Sequence, residues 1–148
     1  MVSLPKSKLK VHSVFRHPVA KNCLTAKVVE DSYQIMSIID NNQVQIILCY
    51  LSSNCKFAEV ARQLQKIIRS DNMTVVCGDF KYDKAEVNPV SKFLKSQNFQ
   101  QIVTKPTHDE GRTLDHCYVS KSLSEKVQLT FYSLYYSDND ALCISLRL

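Results

Sequence analysis

The chain has 148 residues, 45% of them hydrophobic, and a formal net charge of +5. One domain with a real core fits that size, and the lack of repeats, charge blocks or Pro/Gly-rich stretches excludes a low-complexity or disordered chain. The longest apolar run, 46–51, is far too short to span a membrane, and residues 1–15 have lysines but no apolar signal-like stretch, so an intracellular (cytoplasmic or nuclear) protein is expected.

The charge is unevenly placed. Residues 1–29 hold six basic side chains, Lys6, Lys8, Lys10, Arg16, Lys21 and Lys27, and no acid, while the rest has 13 basic against 14 acidic residues. A basic segment on a neutral body can track a phosphate backbone, which makes Lys6, Lys8, Lys10 and Arg16 candidate nucleic-acid contacts. A solvated terminus explains the same charge equally well. The six cysteines show no C-x-x-C and no zinc-like spacing. Cys49, Cys77 and Cys143 lie in apolar runs and are expected as small buried hydrophobes in a reducing compartment.

Along the chain, residues 33–39 and 43–50 read as two strands joined by the turn Asp40-Asn41-Asn42. In the second, Val44, Ile46, Leu48 and Tyr50 alternate onto one face. Ile47 and Cys49 make the other face apolar too, so the strand should be covered on both sides. Phe57, Val60, Ala61, Leu64, Ile67 and Ile68 follow helical spacing, with Ser53 or Asn54 as N-cap. A buried strand over 73–77 follows. Asn88-Pro89 is a helix start, with Val90, Phe93 and Leu94 forming the apolar face. Further strands are predicted over 100–104, 113–119, 127–134 and 141–148, the last alternating Leu142, Ile144, Leu146 and Leu148. Strands dominate and two helices are inserted, an α+β arrangement in mixed layers.

The only two glycines, Gly78 and Gly111, each mark an acidic strand boundary. Gly78-Asp79 ends an apolar run, where glycine permits close backbone approach beside a carboxylate. Asp115, in Leu114-Asp115-His116, puts a charge inside a strand-like segment, which is costly unless paired. His116 alternates to the opposite face and reads as structural or surface. Ser137-Asp138-Asn139-Asp140 is a polar turn before the last strand. Carboxylates at strand ends suit metal-assisted phosphodiester chemistry, and each turn singly also has an ordinary reading as a cap or turn.

Taken in order, Gly78-Asp79-Phe80-Lys81, Leu114-Asp115-His116 and Ser137-Asp138-Asn139 resemble the C-terminal half of the endonuclease/exonuclease/phosphatase superfamily, the DNase I-like fold. The stretch 99–119 looks most like endonuclease domains of mobile genetic elements, and Tyr50 falls at the tyrosine of the family's Val-Tyr-Arg-x-Pro segment. The resemblance covers residues 14–148, leaving 1–13 as a basic N-terminal segment. It implies a partial α/β sandwich without the family's N-terminal half, and the chemistry of a Mg²⁺-dependent nuclease. By that resemblance Asp79 positions or deprotonates water, Asp115 orients the catalytic histidine, Tyr50 touches the phosphate or helps place the leaving group, and Asp138 belongs to the metal site.

The chain departs from the pattern at three places. Lys81 stands where the family has asparagine, and Asn139 where it has histidine. A lysine cannot accept a hydrogen bond, and an amide cannot supply imidazolium charge. The missing half would carry the metal-ligating glutamate; Glu30, in a loop, and Glu59, on a helix, do not replace it. The expectation is a degenerate phosphodiesterase, a pseudoenzyme with weak or no catalysis. A non-enzymatic nucleic-acid- or protein-binding module is the alternative, and a hydrolase borrowing the glutamate from a second copy ranks below both. A halved sandwich should also leave an apolar sheet face bare, with Ile47 and Cys49 on it, and self-associate.

Overall fold

The structure, a computed structural model, describes residues 24–40, 42–69, 73–107, 110–132 and 141–147. Six strands form one mixed sheet: β1 (Leu24–Val29), β2 (Tyr33–Ile39), β3 (Val44–Leu51), β4 (Met73–Asp79), β5 (Gln100–Gln101) and β6 (Asp115–Val119), ordered β1-β2-β3-β4-β6-β5. Only β3 and β4 pair in parallel, because the helix α1 (Phe57–Ile67) makes the crossover between them. A second helix, α2 (Pro89–Ser96), precedes β5. Strands β7 (Val127–Tyr132) and β8 (Ala141–Leu146) form a separate antiparallel pair.

Each sheet face has its own core. On one, Tyr33, Ile35, Ile47, Cys49, Val76 and Tyr118 pack with Val60 and Leu64 of α1 and Val90 and Leu94 of α2. On the other, Val44, Leu48, Val75, Cys77, Cys117 and Val119 meet the inward residues of β7 and β8, including Leu129, Phe131, Leu142 and Ile144. The architecture is therefore a helix layer, a six-stranded sheet and a two-stranded sheet, an α+β sandwich. Gln45 sits fully buried in β3. Its amide donates to Ser37 Oγ at 3.0 Å and the Ile67 carbonyl at 2.8 Å, and its Oε1 accepts from Arg69 N at 2.9 Å, fastening the end of α1 to the sheet.

Several local expectations are corrected. Ile47 and Cys49 do not form a bare face: both lie under the helices with no exposed surface. The N-cap of α1 is Lys56, without a side-chain cap bond, because the Asn54 carboxamide oxygen takes the Ser52 hydroxyl instead. Cys143 points outward and is exposed. Strand β5 is two residues long, since the Val103 amide turns to Gln101 Oε1. Strand β6 starts at Asp115 rather than 113, because the Thr113 and Leu114 amides donate to the side chains of Asp83 and Thr107. The sequence reading missed β1, which among the described residues pairs with β2 alone. Residues 133, 134 and 148 and the boundary at 13/14 lie outside the described residues.

Candidate active site

Gly78 is where the site begins. It has φ +140, and a Cβ there would lie 1.9 Å from the carbonyl oxygen of Cys49, its partner on β3. Only glycine lets the two parallel strands approach this closely. The next residue, Asp79, ends β4 directly beside Tyr50 on β3 and Asp115 on β6. Neighbouring strands lie about 4.8 Å apart, so the three side chains share a row about 10 Å wide. Tyr50 alternates with Leu48, and Asp79 and Asp115 with Cys77 and Cys117, so all three belong to the sheet face that β7 and β8 cover.

Two carboxylates directly opposite one another repel. Lys81 answers that charge. Its ammonium lies 3.0 Å from Asp79 Oδ2, and its backbone N–H donates to Asp79 Oδ1 at 3.2 Å. The Asp79 side chain is 8% exposed and that of Lys81 32%. Lys81 adopts φ +57, a left-handed conformation that glycine and asparagine take more readily than lysine. Burial pulls the Lys81 ammonium down, but the hydrogen bond and charge of Asp79, then Tyr50 and Asp115, outweigh it, and the net displacement is upward.

The surrounding loop is held by residues that the sequence reading did not single out. Thr107, buried, accepts the Leu114 and Asp115 amides on its hydroxyl at 3.1 and 3.0 Å, which sets where Asp115 enters β6. Asp83 accepts the Thr113 amide at 2.9 Å. The Lys105-Pro106-Thr107 stretch was visible as part of a resemblance, but nothing in the sequence marked Thr107 as a backbone anchor. Behind the row, His116 is fully buried, stacked on Phe80 with ring centroids 5.0 Å apart. It is a structural residue on the helix side of the sheet, as its alternation suggested. Glu59 also belongs to that side, where it accepts the Tyr33 hydroxyl at 3.0 Å.

The structure thus brings Tyr50, Asp79, Lys81 and Asp115 together. Asp138, Asn139, Lys6, Lys8, Lys10 and Arg16 lie outside the described residues. Among the described residues no group of three or more His, Cys, Asp or Glu is gathered so as to hold a metal ion. Both oxygens of Asp79 are engaged by Lys81, so the described residues as arranged do not fit a divalent cation.

No protein-family model matches the chain, and no curated protein matches it in sequence. Solved structures do. An endonuclease/exonuclease/phosphatase family protein from Leptotrichia buccalis aligns over 85% of this chain and 58% of its own, with a TM-score of 0.56 at 16% identity. The chain has the endonuclease/exonuclease/phosphatase, DNase I-like fold. Two further structures with this fold agree. The human Nocturnin catalytic domain aligns over 84% of this chain and 59% of its own, TM-score 0.54, at 18% identity. A 3′ phosphatase, NExo, from Neisseria, bound to a product DNA hairpin, aligns over 77% and 65%, TM-score 0.58, at 11% identity. The chain spans less than two thirds of the length of each of these three. Among the described residues, no helix of this domain is long and apolar enough to cross a membrane.

Proposed function

We propose that this chain is a phosphodiesterase-like domain in which hydrolysis is weak or lost, descended from a mobile-element endonuclease. The observation that carries the reading is the row of Tyr50, Asp79 and Asp115 across three adjacent strand ends, with an ammonium seated on its middle carboxylate. On an endonuclease/exonuclease/phosphatase fold this row is the remnant of a phosphodiester-cleaving edge. Asp79 is the group to hold or deprotonate a water, Tyr50 the group to meet a phosphate oxygen, and Asp115 the group to orient a partner from residues 137–140. Asn139, among those residues, brings no imidazolium, and Lys81 ties up the water-holding carboxylate. Each of these losses costs on the order of a hundred- to ten-thousand-fold in rate.

The test is a plasmid-nicking assay in Mg²⁺, Mn²⁺ and EDTA beside Asp79→Ala. No nicking beyond that variant is expected. Metal-dependent nicking that disappears in Asp79→Ala would show a working nuclease and reject the impairment.

A second reading, a nucleic-acid-binding module without catalysis, is favoured by the acid-free segment 1–29 and by the DNA hairpin held by a protein of the same fold. It makes Lys6, Lys8, Lys10 and Arg16 contacts to phosphates.

A further inference from the structure

We infer that Lys81 is the resident cation of Asp79, so that this carboxylate is compensated from within and the edge it forms with Asp115 takes no divalent metal. The inference rests on reading that edge as the site. Opposed carboxylates on neighbouring strands need a positive charge between them, and either a hard cation with oxygen ligands or an ammonium can supply it. Here a single residue holds the middle carboxylate, Asp79, by two routes. The ammonium of Lys81 reaches Asp79 Oδ2 at 3.0 Å, and its backbone N–H reaches Asp79 Oδ1 at 3.2 Å. Each oxygen therefore has a donor in place before any ion arrives.

The backbone supports the same conclusion. Lys81 holds φ +57, which lysine reaches at a cost, and this turn is what returns its side chain onto the residue two positions earlier. The ammonium is partly desolvated, at 32% side-chain exposure, beside a carboxylate at 8%. A divalent ion entering the pair would have to expel a like charge that is already hydrogen-bonded.

Mn²⁺ alone is the probe, followed by its paramagnetic signal and by thermal unfolding in Mn²⁺ against EDTA. The proteins are the native chain, Asp79→Asn, Lys81→Asn and Lys81→Met, the asparagine variant being able to keep the left-handed turn. The native chain is expected to leave Mn²⁺ free and to melt at the same temperature with and without it. Both Lys81 variants should bind the ion at least about tenfold more tightly and melt higher in it. Adding Asp79→Asn to Lys81→Asn should abolish that gain. Mn²⁺ binding by the native chain that Asp79→Asn removes would overturn the inference, as would Lys81 variants that bind no more ion than the native chain. Nicking reads out separately: cleavage in EDTA would sink the impaired-enzyme reading and leave this one standing, whereas Mn²⁺ bound to the native chain without nicking would do the reverse.

Discussion

Two residues beside one carboxylate decide what this edge of the sheet can be. Gly78 removes the side chain that would separate β3 from β4, and Lys81 folds back to neutralise what that approach exposes. The two glycines of the chain make a controlled comparison. At Gly78 a methyl group would meet the Cys49 carbonyl oxygen at 1.9 Å, and the φ of +140 is strained for any other residue. At Gly111 the φ is +79, but nothing among the described residues lies within 4 Å of an added Cβ. Gly78→Ala should therefore cost about 3–4 kcal/mol, from backbone strain plus forced separation of two core strands. Gly111→Ala should cost only about 1 kcal/mol, the conformational part. Urea unfolding midpoints of the two variants measure the difference. Equal losses would mean that the close strand approach at Gly78 carries no weight.

Strands β4 and β6 are joined by more than their ladder. Past their helix-facing side runs a chain of donors with one consistent direction. The Thr113 carbonyl, 2.8 Å from His116 Nε2, can only accept, so with a neutral ring Nδ1 accepts from Tyr118 O–H at 2.8 Å and Tyr118 Oη in turn accepts from Tyr82 O–H at 3.1 Å. That direction requires a neutral imidazole. Burial lowers the proton affinity of His116 against the partial opposition of the Thr113 and Tyr82 carbonyls, and burial pushes the Tyr118 phenol up to about 12. Because the folded value lies below the unfolded one, the unfolded chain binds more protons as pH falls. The contribution of His116 is thus complete above about pH 6.5 and is lost progressively as pH falls from there through the lower, folded value. Unfolding midpoints should fall between about pH 7.5 and 5.5, and His116→Gln should flatten that slope while costing about 1–3 kcal/mol at the upper end. An unchanged slope in the variant would assign the acid sensitivity to other groups. Elements of this kind also mark the limit of what the sequence shows. Helix α1 was legible from its spacing and α2 from Asn88-Pro89, whose Asn88 side chain does cap Val90 and Ser91 at 2.9 and 3.0 Å. The true start of β6 was not, because Thr107 and Asp83 claim its amides from 7 or more positions away in the chain, a span no local pattern reports. Of the candidate site, Asp79, Asp115 and Tyr50 each stood out at a strand end, but their alignment in one row depends on strand register, and the return of Lys81 onto Asp79 depends on a left-handed turn.

Taken whole, the molecule pairs a nearly neutral body with an acid-free segment of six positive charges. The carboxylate edge and that segment make opposite demands on a polyanion. Among the described residues Asp79 and Asp115 outweigh Lys81 by one negative charge, so these three do not themselves attract a phosphate backbone, and the proposed affinity for nucleic acid is assigned to the basic residues at 1–29. Binding of that origin is governed by counterion release, so it should weaken steeply as salt rises and be indifferent to sequence. Neutralising Lys6, Lys8 and Lys10 together should reduce the slope of log K against log salt on duplex DNA by about 0.9 for each phosphate that is no longer neutralised, up to about 3 in all. Lys81→Met should leave that slope unchanged, since its charge is spent on Asp79. Fluorescence anisotropy on one labelled duplex across a salt series separates the two variants. A slope that falls with Lys81→Met and not with the triple change would move the nucleic-acid interaction to the sheet edge and overturn the binding role of the basic segment.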